Sequence, residues 1–166
     1  MIKKLLAFGV ILSLTSPFAL ALKDDTAQKL YIDSLDQQLD MQNNTVTFTG
    51  DVKIRQGSIS IDADKVIIVR DGDKEGSEVI EAFGNPIHFS QKQENGKLVK
   101  GQSKKLHYEL KAEKLILTGA AVLEQQNSSV KAEQITYLVK AQKMEATTSS
   151  GKRVITVLEP SELRDK

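Results

Sequence analysis

Apolar and polar residues alternate along most of this chain. From Val46 onward, Val46, Phe48, Val52 and Ile54 fall on one side with Gly50 among them, while Thr47, Thr49, Asp51, Lys53 and Arg55 fall on the other. A period of two is the signature of a strand with one buried face. Gln56-Gly57-Ser58 predicts a turn, after which Ile59, Ile61 and Ala63 alternate with Ser60 and Asp62. Val66 to Val69 is a third apolar piece, ended by a polar, glycine-containing turn over residues 71–76. The same grammar predicts strands around Leu30 and Ile32, over Glu78 to Phe83 (closed by Gly84-Asn85-Pro86), at Ile87 and Phe89, at Leu106 to Leu110, at Leu115 to Leu123, at Ile135 to Val139 and at Val154 to Leu158. Asn95-Gly96 is a strong hairpin signal. Helical periodicity is weak throughout; Asp33 to Met41 and Lys140 to Ala146 are read as strand or loop. Short strands punctuated by turns predict an all-β sandwich, barrel or jelly roll.

The pattern is written twice. VTFTGDVKIRQGSISIDADKV, from Val46, aligns without a gap on LILTGAAVLEQQNSSVKAEQI, which starts 69 residues later at Leu115. Thr49-Gly50 falls on Thr118-Gly119, Gln56 on Gln125 and Ala63 on Ala132. A smaller echo, a small residue followed after two positions by an alternating apolar pair, recurs at Ala63/Val66/Ile68, Ser103/Leu106/Tyr108 and Ala132/Ile135/Tyr137. It reads as a strand that bends after its small residue and enters the next hairpin. Units of this kind cannot bury an apolar face alone, so they stack in series. The expected product is elongated: two curved sheets facing each other, with an unpaired edge at each end.

The N-terminus does not follow this pattern. Lys3 and Lys4 precede a short apolar run, Leu5 to Leu14, and Pro17 precedes Ala19-Leu20-Ala21. These are the parts of a cleaved secretory signal over residues 1–21, leaving residues 22–166 as a single exported domain, long enough for a core. Removing Lys3 and Lys4 leaves 21 basic residues against 22 acidic ones. So balanced a charge leaves no electrostatic footprint for nucleic acid. The absence of cysteine removes disulfides and thiol chemistry, so the fold rests on burial alone. Aromatics are only 5% of residues. The interior is therefore mainly Val, Ile, Leu and Ala, which fits either a lean solid core or a slot between two sheets lined by aliphatic groups.

Candidate chemistry is sparse. His88 and His107 each sit one residue out of phase with the apolar face of their strand and are expected to face solvent. Their spacing builds no zinc site, and no metal or cofactor is expected. There is no nucleophile-elbow or P-loop motif. Asp62 and Asp64 share a face and are a formal acid/base pair, but the repeat puts Lys131 and Glu133 at the equivalent positions, which marks an outer solvated face. The chain reads as a non-enzyme. Two other classes remain for comparison: a structural or adaptor protein that assembles through its edges, and a carbohydrate-active enzyme with a carboxylate pair in a cleft.

Several stretches carry a family resemblance: DQQLDMQNNTVTFTGDVKIRQGSISIDADKVIIVR, GKLVKGQSKKLHYEL, LTGAAVLEQQ, KAEQITYLVKAQKMEA and GKRVITVLEPSEL. In this order and spacing the chain resembles the OstA-like family of periplasmic lipopolysaccharide-transport proteins. The resemblance implies a long, slightly twisted antiparallel β-jellyroll, open at both ends, that works in the periplasm. It implies binding of lipopolysaccharide with the lipid A acyl chains between the sheets. It also implies copies stacked head to tail, bridging an LptC-like inner-membrane protein and an LptD-like outer-membrane protein. Read together with the alternation, the groove-lining residues are expected to be Leu30, Ile32, Val46, Phe48, Ile54, Ile61, Phe89, Leu106, Tyr108, Leu110, Leu117 and Tyr137. The edge interface is expected to pair Leu30 and Ile32 of one copy with Val154, Ile155 and Val157 of the next.

Overall fold

A computed structural model describes residues 25–70, 77–149 and 151–160. The expected signal segment and the turn over 71–76 lie outside the described residues. A 3-10 turn, η1 (Asp25–Ala27), opens the described chain. Ten strands follow: β1 (Leu30–Asp33), β2 (Asp36–Asp40), β3 (Thr45–Gln56), β4 (Ile59–Arg70), β5 (Glu78–Lys92), β6 (Leu98–Glu109), β7 (Lys114–Gln125), β8 (Ser128–Leu138), β9 (Lys143–Thr147) and β10 (Ile155–Val157). All pairings are antiparallel. From β3 to β8 each strand pairs with its neighbours in sequence. β1 and β2 share the outer side of β3, and β10 and β9 share the outer side of β8. The serial, open-ended all-β architecture expected from the alternation is what the chain forms.

The strands are longer than the pattern suggested, because each is interrupted in the middle without ending. The ladder breaks between Thr49 and Val52, Asp62 and Lys65, Phe83 and Ile87, Gln102 and Lys105, and Thr118 and Ala121. These breaks line up across the sheet as a single crease. On β3 and β7 the cause is local. Gly50 and Asp51, and likewise Gly119 and Ala120, take successive positive φ values (81° and 43°; 84° and 49°). That inserts an extra residue as a bulge, which bends the strand and adds twist. On β4, β6 and β8 the inward-facing positions slip by one residue at the same level: Ala63 to Val66, Ser103 to Leu106, and Ala132 to Ile135.

The structure departs from the expected pattern at two points. The small-residue motif marks a bend inside a strand and not the entry to a new hairpin. Gly84-Asn85-Pro86 does not close a strand, since β5 runs through it. Proline is tolerated there because the crease has already interrupted the ladder, so its missing N–H is not needed.

The crease divides the sheet into two leaves of eight strand segments each. The front leaf runs from β1 to β10, and the back leaf from β2 to β9. Both turn their apolar sides inward. Val52, Ile61, Val66, Ile80, Ile87 and Leu106 are among the fully buried side chains of one continuous core. The leaves touch across it. The rings of Phe89 (front) and Tyr137 (back) meet edge-on with centroids 6.2 Å apart. A Cβ on Gly101 of the front leaf would lie 3.0 Å from Leu117 Cδ1 of the back leaf.

Candidate functional site

The space between the leaves is lined as the alternation requires. Phe48, Ile54, Ile61, Phe89, Leu106, Tyr108, Leu117 and Tyr137 are all buried in the single core, and Leu30, Ile32, Val46 and Leu110 pack against it half-buried. All twelve expected lining residues therefore share one interior. Its middle is closed by side chains from both leaves, among them Phe89 against Tyr137 and Leu117 against Gly101. Open space lies at its margins. At the C-terminal mouth a cavity of about 350 Å³ is bordered by Val99, Leu123 and Val130 of the front leaf, Tyr137 and Met144 behind, and Leu158. Along the side opposite the crease, a cavity of about 500 Å³ runs between the rims of the two leaves, bordered by Asp25, Gln91, Gln93, Glu113, Val139 and Lys140.

That open side is a polar seam. Tyr137 Oη donates to Gln91 Oε1 at 3.0 Å, and Gln93 Nε2 donates to Tyr137 Oη at 3.3 Å. Gln125 Nε2 donates to Gln93 Oε1. Gln91 Nε2 donates to Asp25 Oδ2 at 3.1 Å, and Asp25 also accepts from the backbone N–H and hydroxyl of Ser58, both at 2.6 Å. The chain of contacts crosses from η1 to the β7–β8 turn and joins front rim to back leaf. Burial pushes the Tyr137 phenol above its ordinary value, so it stays a neutral donor.

Sequence reasoning missed Asp25, Gln56, Gln91, Gln93 and Gln125: Gln56 reads as part of a turn, and no polar residue is expected to face inward. A signal was available for three of them. Gln56 is in phase with Val52 and Ile54, Gln91 with Ile87 and Phe89, and Gln125 with Ala121 and Leu123.

The histidines lie on outer faces, in different settings. His88 is exposed. His107 is half-buried rather than solvated. Its Nδ1 abuts Glu81, and its Nε2 is 3.3 Å from Glu109 Oε1. Lys105 and Lys114 complete the cluster at 2.7 Å from Glu81 and 2.6 Å from Glu109. Burial works against the Glu81 carboxylate, but its bonds to Lys105 and His107 outweigh that and hold it below the usual range. The Lys114 bond does the same for Glu109. Asp62 is paired with Arg55 at 2.8 Å on the outer face, and Asp64 is exposed. Neither carboxylate lines the interior. Among the described residues no group of three or more His, Asp or Glu is arranged to hold a metal ion.

The two ends present strands paired on one side only. β1 and β2 close one end, β10 and β9 the other, and most large apolar side chains left exposed belong to these ends. They include Tyr31, Leu35, Leu39 and Met41 at one and Met144, Ile155, Val157 and Leu158 at the other. Of the expected edge residues, Leu30 and Ile32 face the core from β1. Ile155 and Val157 project from β10, and Val154 lies just outside that strand, which pairs with β8 of its own chain through 129–131.

Residues 31–143 match the family described as LptA/(LptD N-terminal domain) LPS transport protein. The chain is 52% identical over 148 residues to the lipopolysaccharide export system protein LptA of Escherichia coli K12, covering 89% of this chain and 80% of that one. It is 47% identical to LptA of Haemophilus influenzae, covering 95% and 92% respectively. Its fold is similar to the crystal structure of LptH, the LptA homologue of the Pseudomonas aeruginosa lipopolysaccharide transport device, with a TM-score of 0.74 at 22% identity over 82% of this chain and 99% of that one. Folded leaves, open ends and sequence agree: the chain belongs to the LptA/LptD N-terminal domain family of LPS transport proteins.

Proposed function

We propose that this protein carries lipopolysaccharide across the periplasm, from the inner to the outer membrane, with the acyl chains between its two leaves. One observation carries the reading: a single continuous apolar core, mostly aliphatic with the rings of Phe48, Phe89, Tyr108 and Tyr137 among it, runs between the leaves from β1 to β9. Exposing a CH₂ group to water costs about 0.8 kcal/mol. An acyl chain of about a dozen carbons therefore costs on the order of 10 kcal/mol to expose, and a glycolipid with several such chains does not cross water unaided. A passage has to offer the same lining at every step, and repeated strand pairs do so.

Entry requires the leaves to part at the seam, since the middle of the interior is closed. The exchange is close to even, because each contact between Phe89, Leu106 or Leu117 and the opposite leaf is replaced by one to a hydrocarbon chain of similar density. Sugars and phosphates stay outside, so no large basic pocket is needed.

The exposed ends serve assembly. Strand addition by a second copy extends both leaves, and because the two ends differ the contact does not close on itself. In this reading the β1 edge meets an LptC-like partner, the β10 edge an LptD-like one, and copies of this chain fill the gap between them.

Photo-crosslinking amino acids at Phe89 and Tyr108 test the passage against His88 and His107 on the outer faces. Labelling of lipopolysaccharide from the first pair alone is the expected result. Equal labelling from both pairs overturns it. No labelling from a chain that still self-associates favours an edge-assembling adaptor.

A further inference from the structure

Three inward-phased glutamines form a row, Gln56 and Gln91 buried and Gln125 half-buried. The inward series of three alternate strands each end on one: Ile54 then Gln56 on β3, Phe89 then Gln91 on β5, Leu123 then Gln125 on β7. Register sets Gln56 opposite Ile59, Gln91 opposite Val99, and Val99 opposite Gln125. The rim of the front leaf thus alternates amide and aliphatic side chains, with one glutamine every second strand, about 10 Å apart. Gln56 and Gln91 are 3% and 6% exposed, far below what glutamine shows on a solvated face. Of the three glutamines, Gln91 borders the seam cavity, whose charged border is Lys92, Glu94, Glu113 and Lys140, and Gln125 borders the cavity at the C-terminal mouth.

We propose that Gln56, Gln91 and Gln125 are equivalent stations that hydrogen-bond the amide and ester groups at the roots of acyl chains. The proposal rests on the transport reading above and adds what the site selects. A glutamine side chain is neutral and both donates and accepts. It matches an ester carbonyl, or the N–H and C=O of an amide, without the desolvation cost of a charge. With the row at that level, hydrocarbon lies against Ile54, Phe89 and Leu123, and sugars face the charged seam. In the closed state the amides of Gln91 and Gln125 are occupied by the protein's own groups: Gln91 by Tyr137 and Asp25, Gln125 by Gln93. A ligand exchanges one set of bonds for another, so the polar zipper and the station are the same side chains in two states.

The chemistry excludes a close competitor. A free fatty acid ends in a carboxylate, and although Lys92 and Lys140 stand on the cavity border, the charged group hydrogen-bonded to Gln91 is the Asp25 carboxylate, which repels it. Chains joined through amides and esters are therefore selected over free acids of equal length.

The test measures binding of purified lipopolysaccharide and of a saturated free fatty acid to the mature protein and to Gln91→Met and Gln125→Met. The unmodified protein should prefer lipopolysaccharide. Each substitution should weaken lipopolysaccharide about three- to tenfold, the worth of one or two lost hydrogen bonds, and leave the fatty acid unchanged or bound more tightly. Gln125 is half-exposed, so its variant decides the matter if Gln91→Met fails to fold. Unchanged lipopolysaccharide affinity, or a parallel loss of both ligands, overturns the stations and leaves transport intact. An unmodified protein that binds neither ligand overturns the transport reading itself.

Discussion

Tyr137 reaches across the interior and donates its hydroxyl hydrogen to Gln91 Oε1 at 3.0 Å, while its ring meets Phe89 edge-on. One side chain of the back leaf thus ties the rim of the front leaf at the point where the two would separate. Tyr137→Phe keeps the ring contact and leaves buried amide groups without a partner. It should cost about 1–3 kcal/mol in urea unfolding, and amide hydrogen exchange should speed up selectively along 91–93 and 137–139. Uniform acceleration over the whole sheet would show that Tyr137 is not a local latch.

Gly50 and Gly119 occupy equivalent bulges but have different surroundings. A Cβ on Gly50 would stand 2.8 Å from Leu35 Cδ1, whereas for one on Gly119 the nearest atoms are those of the Lys104 side chain, from 3.2 Å. Alanine is strained at both positive φ values, by about 1–3 kcal/mol. Gly50→Ala should therefore lower the melting temperature more than Gly119→Ala, because Leu35, which donates its N–H to Gly50 O at 3.1 Å, must also move. Equal losses would argue against that difference.

Gly101 thins the front leaf where the leaves meet. Gly101→Val adds bulk against Leu117, Phe89 and Leu123, all within 3.3 Å of the added Cβ. Overpacking costs about 1–3 kcal/mol. Lipopolysaccharide binding should fall by more than the stability loss accounts for, since the addition narrows the passage. Calorimetry of binding beside thermal melts separates the two effects.

Acid should loosen the outer face of the back leaf. Glu81 and Glu109 are held below the usual carboxylate range, Glu81 by Lys105 and His107 against the opposing effect of burial, Glu109 chiefly by Lys114. Groups lowered in the folded state add stability above their unfolded value, about 4.3, and that contribution disappears as pH falls through the lower folded value. The melting temperature should drop steeply below about pH 4.3. Glu81→Gln and Glu109→Gln should flatten that slope while lowering stability at neutral pH.

Ile155 and Val157 project into solvent from the outer strand of the front leaf, 57% and 55% exposed. Lysine at both positions is a standard blunting of a strand edge. Sedimentation of the double variant should show loss of concentration-dependent oligomers with an unchanged monomer fold. Persistent oligomers would shift assembly to the back leaf, whose edge strands expose Met144 on β9 and Leu39 on β2.

The inward and outward assignment was legible because strand alternation is local. Phe48, Leu106 and Tyr137 could be oriented from their immediate neighbours. The crease was legible only as a puzzle. Thr49-Gly50 and Thr118-Gly119 stood out as repeats, yet the one-residue slips at Ala63, Ser103 and Ala132 read as boundaries, since phase is lost there and pairing partners are invisible in a sequence. The seam was hidden for a different reason. Glutamine is usually a surface residue, and Gln91 is accounted for only when Tyr137, 46 positions away, is brought opposite it. Asp25 escaped notice because a short 3-10 turn has no periodicity to detect.

The crease also bears on length. Every strand from β3 to β8 bends at the same level, so an added antiparallel pair with a bulge at its midpoint would lengthen the trough without changing its cross-section. A second molecule docked on the end strands, as proposed above, would do the same without a covalent link. The span of such a duct is then decided by how many pairs are laid side by side, its bore by where the bend falls within each strand, and the two can vary independently.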